Sequence, residues 1–181
     1  MPDAIPPDAS VTKASSADAL SIDALPIADC LDELTSVLAQ AQSVVLQAPP
    51  GAGKTTGIPP ALLQSKAAGD GKILLIQPRR IAARAAAHRL ATAMNCRVGS
   101  TVGYHVRFDK RYDKNTQLIS MTTGMLLRRM QSDPFLEDVS CVVLDEFHER
   151  SLEIDLALGM LQRIRTSLRS ELRLLVMSAT L

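Results

Sequence analysis

Short apolar runs alternate with amphipathic stretches over most of the chain. Ser43–Gln47, Ile73–Gln77, Thr101–Phe108, Thr116–Met121, Val139–Asp145 and Leu172–Met177 are short, largely apolar and bounded by polar residues. That length and density predict strands, the Ser43–Gln47 run among them as a buried one. Segments of helical spacing lie between them. From Leu25-Pro26-Ile27 to about Gln42, apolar residues recur at Cys30, Leu31, Leu34, Val37, Leu38 and Ala41. This predicts a helix packed beside the first strand, with Asp29 as its N-cap. Further helices are predicted over Thr56–Gln64, Ile81–Met94, Gly124–Met130 and Leu152–Leu168. Pro59 and Pro60 fall inside the first of these, and proline removes a helix hydrogen bond, so a break or kink is predicted near Ile58. Gly69-Asp70-Gly71 reads as a turn. Strands alternating with helices predict an α/β fold of three layers, a mainly parallel sheet covered on both faces.

The stretch before residue 25 breaks this pattern. It is rich in Pro, Ala, Ser and Asp and buries too little apolar surface to offset ordering, so residues 1–24 are expected to be a disordered or peripheral tail. Residues 25–181 then form the domain. At 46% hydrophobic and 22% charged, the 181-residue chain has the balance of an ordinary globular protein. It holds no run of eighteen apolar residues and no basic-then-apolar leader, so no membrane partner and a cytoplasmic setting are expected. Cys30, Cys96 and Cys141 are odd in number and far apart, which suits neither a disulfide framework nor a zinc site. Cys96 and Cys141 are expected to serve as small buried hydrophobes.

Charge changes the picture more. The net charge is +1, yet Pro78–Met130 holds eleven Lys/Arg against two Asp, leaving −8 for the remainder. Such a concentration predicts a polyanion site. Arg79 and Arg80 directly follow a predicted strand end, where ligands of open α/β sheets gather. Trp is absent and aromatics make up 3% of the chain, so contacts to phosphate and sugar are expected to outweigh stacked bases.

Two stretches carry chemistry. Ala48-Pro49-Pro50-Gly51-Ala52-Gly53-Lys54-Thr55 sits between a predicted strand and a predicted helix, the context of a phosphate-binding P-loop, with Ala48 where the pattern begins with glycine. Gly51 and Gly53 allow backbone N–H groups to turn inward as an anion nest. Lys54 can reach the outer phosphates, and the Thr55 hydroxyl can hold Mg²⁺. The helix N-terminus adds partial positive charge. Downstream, the apolar run Val142-Val143-Leu144 ends in Asp145-Glu146. An acid at a strand's C-terminal end beside a P-loop can hold Mg²⁺, and the next acid can orient and deprotonate an attacking water.

Asp145-Glu146-Phe147-His148-Glu149-Arg150 resembles motif II of the DEAH-box helicases of superfamily 2, with Phe147 in place of the usual Ala. Ala48–Thr56 looks like motif I, Gln77–Arg80 like motif Ia, Thr122–Arg128 like motif Ib and Ser178-Ala179-Thr180 like motif III, in that family's order. The Ala-Pro-Pro-Gly opening, Phe147 and the Tyr104–Phe108 segment are similar to the bacterial HrpB-type members in particular.

By matching position, the resemblance implies a RecA-like domain in which Pro50, Gly51, Ala52, Gly53, Lys54, Thr55 and Thr56 hold ATP. It implies that Thr55, Asp145 and Glu146 serve Mg²⁺, and that Glu146, Lys54 and Asp145 are catalytic. His148, Ser178 and Thr180 would couple hydrolysis to domain movement. Arg79, Arg80, Thr122 and Gly124 would grip the nucleic-acid backbone, RNA being the family's usual strand. Thr123 stands where an acid is common and is given no role. The family also implies a second RecA-like domain with an arginine finger, worth about 10³–10⁵ in rate in related enzymes. The sequence ends just after motif III, so this chain is expected to be the first such domain alone, with little ATPase activity and no unwinding. Two other classes fit parts of the pattern. A small-molecule kinase or GTPase would leave motifs Ia, Ib and III unexplained, and no Asn-Lys-x-Asp appears. A non-catalytic RNA-holding module would leave Lys54, Asp145 and Glu146 without a purpose.

Overall fold

The computed structural model describes residues 25–180; the expected tail, residues 1–24, lies outside them. A seven-stranded sheet runs through the middle. Its strands are β1 (Ser43–Gln47), β2 (Lys72–Gln77), β3 (Val102–Val106), β4 (Asp109–Arg111), β5 (Leu118–Thr122), β6 (Val139–Leu144) and β7 (Arg173–Ser178). In space they are ordered β1-β7-β6-β2-β5-β3-β4, and all pairings are parallel except that of β4 with β3. The predicted α/β class holds.

Alternation along the central strands sends side chains to two separate cores. Ile73, Leu75, Cys141, Val143, Leu175 and Met177 face helices α1 (Leu31–Ala41), α2 (Lys54–Gln64) and α3 (Arg80–Ala93). Leu74, Ile76, Val142, Leu144, Leu174 and Val176 face α4 (Thr123–Ser132) and α5 (Leu152–Ser167). Burial on both faces is why these strands read as unbroken apolar runs. Helix α3 buries Ala83, Ala86, Ala87 and Ala91 beside Leu90, small side chains that also favour helix.

Four expectations about the helices and strands require correction. Helix α2 runs unbroken through Pro59 and Pro60. Each proline costs about 3 kcal/mol in a helix interior. Both prolines are buried, and Ile58 and Leu62 beside them are fully enclosed, each worth about 1.5–3 kcal/mol. Packing therefore offsets much of the lost hydrogen bonding. Asp29 does not cap α1; it lies within a 3₁₀ turn, Ala28–Cys30, and Cys30 occupies the cap position without a side-chain capping bond. Strand β1 is an edge strand rather than a buried one: Val44 and Leu46 pack on the core, while Val45 faces outward, 58% exposed. The Thr101–Phe108 run stops at Val106, turns through Arg107 and Phe108, and returns as β4. Phe108 holds a φ of 68°, where a turn-marking glycine would have advertised the hairpin.

Opposite the site described below, Asp138 binds Lys72 at 2.8 Å and also Arg129, joining β2 and α4 just ahead of β6. Burial pushes the Asp138 carboxyl upward, but the Lys72 hydrogen bond and the Arg129 charge outweigh it and hold the group below its ordinary range. A lowered carboxyl contributes stability that is full above the unfolded value, about 3.9, and fades as pH falls through the folded value. Asp138→Asn should cost about 0.5–1 kcal/mol at pH 7, a difference that closes below about pH 4 in denaturant titrations.

Cys141 is fully buried, as expected, and burial pushes its thiol up to about 12. Cys96 is only half-buried, as is Cys30. A thiol reagent at pH 8 should label Cys30 and Cys96 in the native chain and reach Cys141 only after unfolding. Native labelling of all three at equal rates would contradict this packing.

Candidate functional site

Parallel pairing aligns the carboxyl ends of four adjacent strands. Gln47 of β1 pairs with Ser178 of β7, while Leu144 of β6 pairs with Val176 of β7 and Ile76 of β2. The loops leaving these ends therefore meet. The Ala48 N–H donates to the Ser178 carbonyl at 3.2 Å, and the Phe147 N–H donates to the Met177 carbonyl at 3.0 Å.

The loop from Ala48 to Gly53 turns on two glycines, Gly51 at φ 81° and Gly53 at φ 90°. Gly53 is the N-cap of α2, and its carbonyl accepts from the Thr56 and Gly57 N–H groups at 3.1 and 2.7 Å. The chain ahead of α1 braces the loop: the Ile27 N–H donates to the Ala52 carbonyl at 3.0 Å. Lys54 is buried at the start of α2, and its Nζ donates to the Ala48 and Pro49 carbonyls. The ammonium thus lies within the turn of the loop, beside the N-terminus of α2. Pro50 and Gly51 are exposed, and Ala52 is buried.

Asp145 follows β6 and is 1% exposed. Its Oδ2 accepts from the Thr55 hydroxyl at 2.6 Å and from the Gln77 side-chain amide at 2.7 Å. Its Oδ1 accepts from the Glu146 N–H at 2.9 Å. Residues ninety positions apart are thereby in direct contact, as the two motifs demanded. The donor set is a hydroxyl and a carboxylate with a second carboxylate beside them. Such hard oxygens suit Mg²⁺, which takes one or two protein carboxylates and completes its shell with water and phosphate. Among the described residues no group of three or more His, Cys, Asp or Glu gathers as a self-sufficient metal cage.

Glu146 occupies the left-handed region at φ 51°, a conformation other than glycine seldom adopts and one that concentrates at functional sites. Its half-exposed carboxylate lies 3.5 Å from His148 Nδ1. The Ala179 N–H donates to that same Nδ1 at 3.3 Å. His148 therefore touches both the acid pair and the Ser178–Thr180 segment. Within that segment the Ser178 hydroxyl donates to the Thr180 carbonyl.

The sequence-predicted nucleic-acid residues lie at the same carboxyl edge of the sheet, at the starts of helices that cover opposite faces. Arg79 is the N-cap of α3 and Arg80 its first residue, both exposed, and Thr122 is the N-cap of α4, next to the exposed Gly124. Thr122 is the register partner of Gln77, which places the two turns side by side. Arg79, Arg80, Ile81, Arg84, Val106 and Asp109 line a cavity of about 700 Å³. A second, of about 580 Å³, carries Arg107, Lys110, Arg128 and Arg129 with His105. Burial first, then the neighbouring Lys110, Arg129 and Arg128 charges, hold the His105 imidazole below its usual value. Several cations are already engaged: Arg79 with Glu149 at 3.0 Å, Arg84 with Asp109 at 3.5 Å. Sequence reasoning assigned no role to Gln77 or Glu149. The signal for Gln77 was a polar residue closing an otherwise apolar strand.

The family described as DEAD/DEAH box helicase matches residues 30–181. The ATP-dependent RNA helicase HrpB of Escherichia coli strain K12 is 50% identical over 157 residues, covering 87% of this chain and 19% of that protein. An ATP-dependent RNA helicase HrpA homolog of Haemophilus influenzae is 40% identical over 159 residues, 88% of this chain and 12% of that protein. The crystal structure of Escherichia coli DEAH/RHA helicase HrpB superposes with a TM-score of 0.83 at 49% identity, over 87% of this chain and 20% of that one. The chain spans about a fifth or less of the length of these relatives.

The two loop glycines differ in their surroundings. A Cβ on Gly51 would meet nothing within 4 Å, whereas one on Gly53 would stand 2.8 Å from Leu25 Cδ1. Gly51→Ala should lose only the backbone term of about 1–2 kcal/mol, and Gly53→Ala that term plus displacement of Leu25. Equal melting temperatures for the two variants would show that Leu25 does not confine the loop.

Proposed function

The chain belongs to the DEAD/DEAH box helicase family, and on that premise we propose that it is the ATP-binding domain of an ATP-dependent RNA helicase. The observation that carries this reading is the 2.6 Å contact between Thr55 and Asp145, which brings the phosphate-binding loop and the acid pair into one site. Residues 50–56 would cradle the triphosphate, with inward N–H groups and the Lys54 ammonium countering its charge. Thr55 and Asp145, with Glu146 close by, would hold Mg²⁺. Held there, the ion would supply charge neutralisation for the phosphate oxygens. Glu146 would orient the attacking water and accept its proton. With Lys54 and Asp145 it completes the catalytic set.

His148, Ser178 and Thr180 would pass the state of the phosphate site to a second RecA-like domain, which would also contribute the arginine finger. Arg79, Arg80, Thr122 and Gly124 would hold RNA by its backbone, favoured by the exposure of Arg79, Arg80 and Gly124 and by helix N-termini at Arg80 and Thr123. Backbone contact of this kind carries little sequence preference. Among the described residues no helix is long and apolar enough to cross a membrane, and a cytoplasmic setting accords with three free thiols.

Calorimetry with Mg²⁺-ATP tests the nucleotide site. Weak binding by the chain should vanish in Lys54→Ala and survive in Glu146→Gln. In the full-length protein, Glu146→Gln should lower ATP turnover by about 10²–10⁴-fold, the usual contribution of a positioned base. Undiminished binding by Lys54→Ala would remove the phosphate-loop assignment.

A further inference from the structure

Gln77 is the last residue of β2 and is 3% exposed, after four consecutive side chains, Ile73 to Ile76, that are fully buried and apolar. A buried amide without a partner costs about 1–3 kcal/mol, so its place here depends on the bond it makes. That bond is to Asp145 Oδ2 at 2.7 Å. An ionised carboxylate only accepts, which fixes the amide nitrogen toward it. With Thr55 on the same oxygen and the Glu146 N–H on the other, three donors set the rotation of the carboxylate.

The residue after Gln77 begins the turn Pro78-Arg79-Arg80. Arg79 reaches back toward the same acidic segment, its Nε and Nη2 donating to Glu149 Oε2 at 3.1 and 3.0 Å. Segment 145–149 is thus held to this one turn twice, at a buried point through Gln77 and at an exposed point through Arg79. The exposed pair is weak and exchangeable, since such pairs contribute about 0–1 kcal/mol. A phosphate arriving at Arg79 competes with Glu149 for the guanidinium. The buried bond remains and carries any shift of the turn to Asp145.

Resting on the function proposed above, we propose that Gln77 is a positioning residue through which the RNA-contacting turn sets the orientation of the Asp145 carboxylate, and so the affinity of the site for its divalent ion. Its burial, at 3% exposure, leaves it no surface on which to meet phosphate or RNA directly. Its effect passes through Asp145 alone.

The test uses the full-length protein carrying this chain, with Mn²⁺ as the probe ion and ADP as the nucleotide. Free Mn²⁺ is read by electron paramagnetic resonance, with and without a single-stranded RNA oligonucleotide. Gln77→Met keeps length and burial but removes the donor; Gln77→Asn keeps the amide one methylene short. Both should weaken Mn²⁺ binding by about tenfold or more, the effect of removing a partner of a metal-ligating carboxylate. ADP affinity in EDTA should stay within about twofold, which a general loss of structure would not allow. In the wild type, RNA should shift the Mn²⁺ affinity; in the variants that shift should shrink toward none. If Gln77→Met does not fold, Gln77→Asn decides alone. Wild-type Mn²⁺ affinity in the variants, or an undiminished RNA shift, overturns the proposal. Failure of the wild-type protein to bind Mn²⁺-ADP or RNA would instead overturn the function on which it rests.

Discussion

The parallel register of β6 between β7 and β2 is the constraint on which the site depends. Leu144 stands level with Val176 on one side and Ile76 on the other, so Asp145 emerges between the ends of two strands that carry their own polar residues. A slip of one residue would turn Val142 and Leu144 from the α5 core to the opposite face and carry Asp145 away from Thr55. Two apolar cores, one on each side of the sheet, oppose that slip along every strand of the centre. The chemistry at the strand ends is therefore held in place by hydrophobic alternation several residues away from it.

Much of this was legible because the informative residues are local signals. Gly-x-Gly-Lys-Thr after an apolar run, and Asp-Glu after another, each state their own position on a strand end, and parallel pairing brings them together. What was not legible depends on tertiary context. The burial that lets Pro59 and Pro60 sit inside α2 comes from neighbours outside the segment. The outward face of Val45 follows from strand order, since an apolar run does not reveal which strand lies at an edge. The Phe108 turn has no glycine to mark it, so two strands read as one. Asp29 carried a capping side chain, but the backbone there had already entered a 3₁₀ turn.

The basic segment shows why a charge count is an upper bound on a field. Arg79, Arg84 and Arg129 each have a carboxylate partner, and Lys72 shares Asp138 with Arg129. The exposed pairs of Arg79 and Arg84 are of the kind that contribute about 0–1 kcal/mol and so exchange partners readily. They also make the surface less adhesive to stray polyanions than nine surplus charges would suggest. A phosphate backbone that displaces several partners at once gains more than a single ion can.

Among the described residues, strand β1 has a neighbour on one side only. The Ala48–Gly53 loop thus springs from an edge strand of the sheet, while the acid pair springs from a central one. Edge strands open locally at lower free energy than central ones. The two halves of the site should consequently differ in native-state hydrogen exchange, with amides of β1 trading with solvent before those of β6. A ligand bridging Lys54 and Asp145 would be felt chiefly as slowed exchange on the β1 side, because the β6 side has almost nothing left to gain.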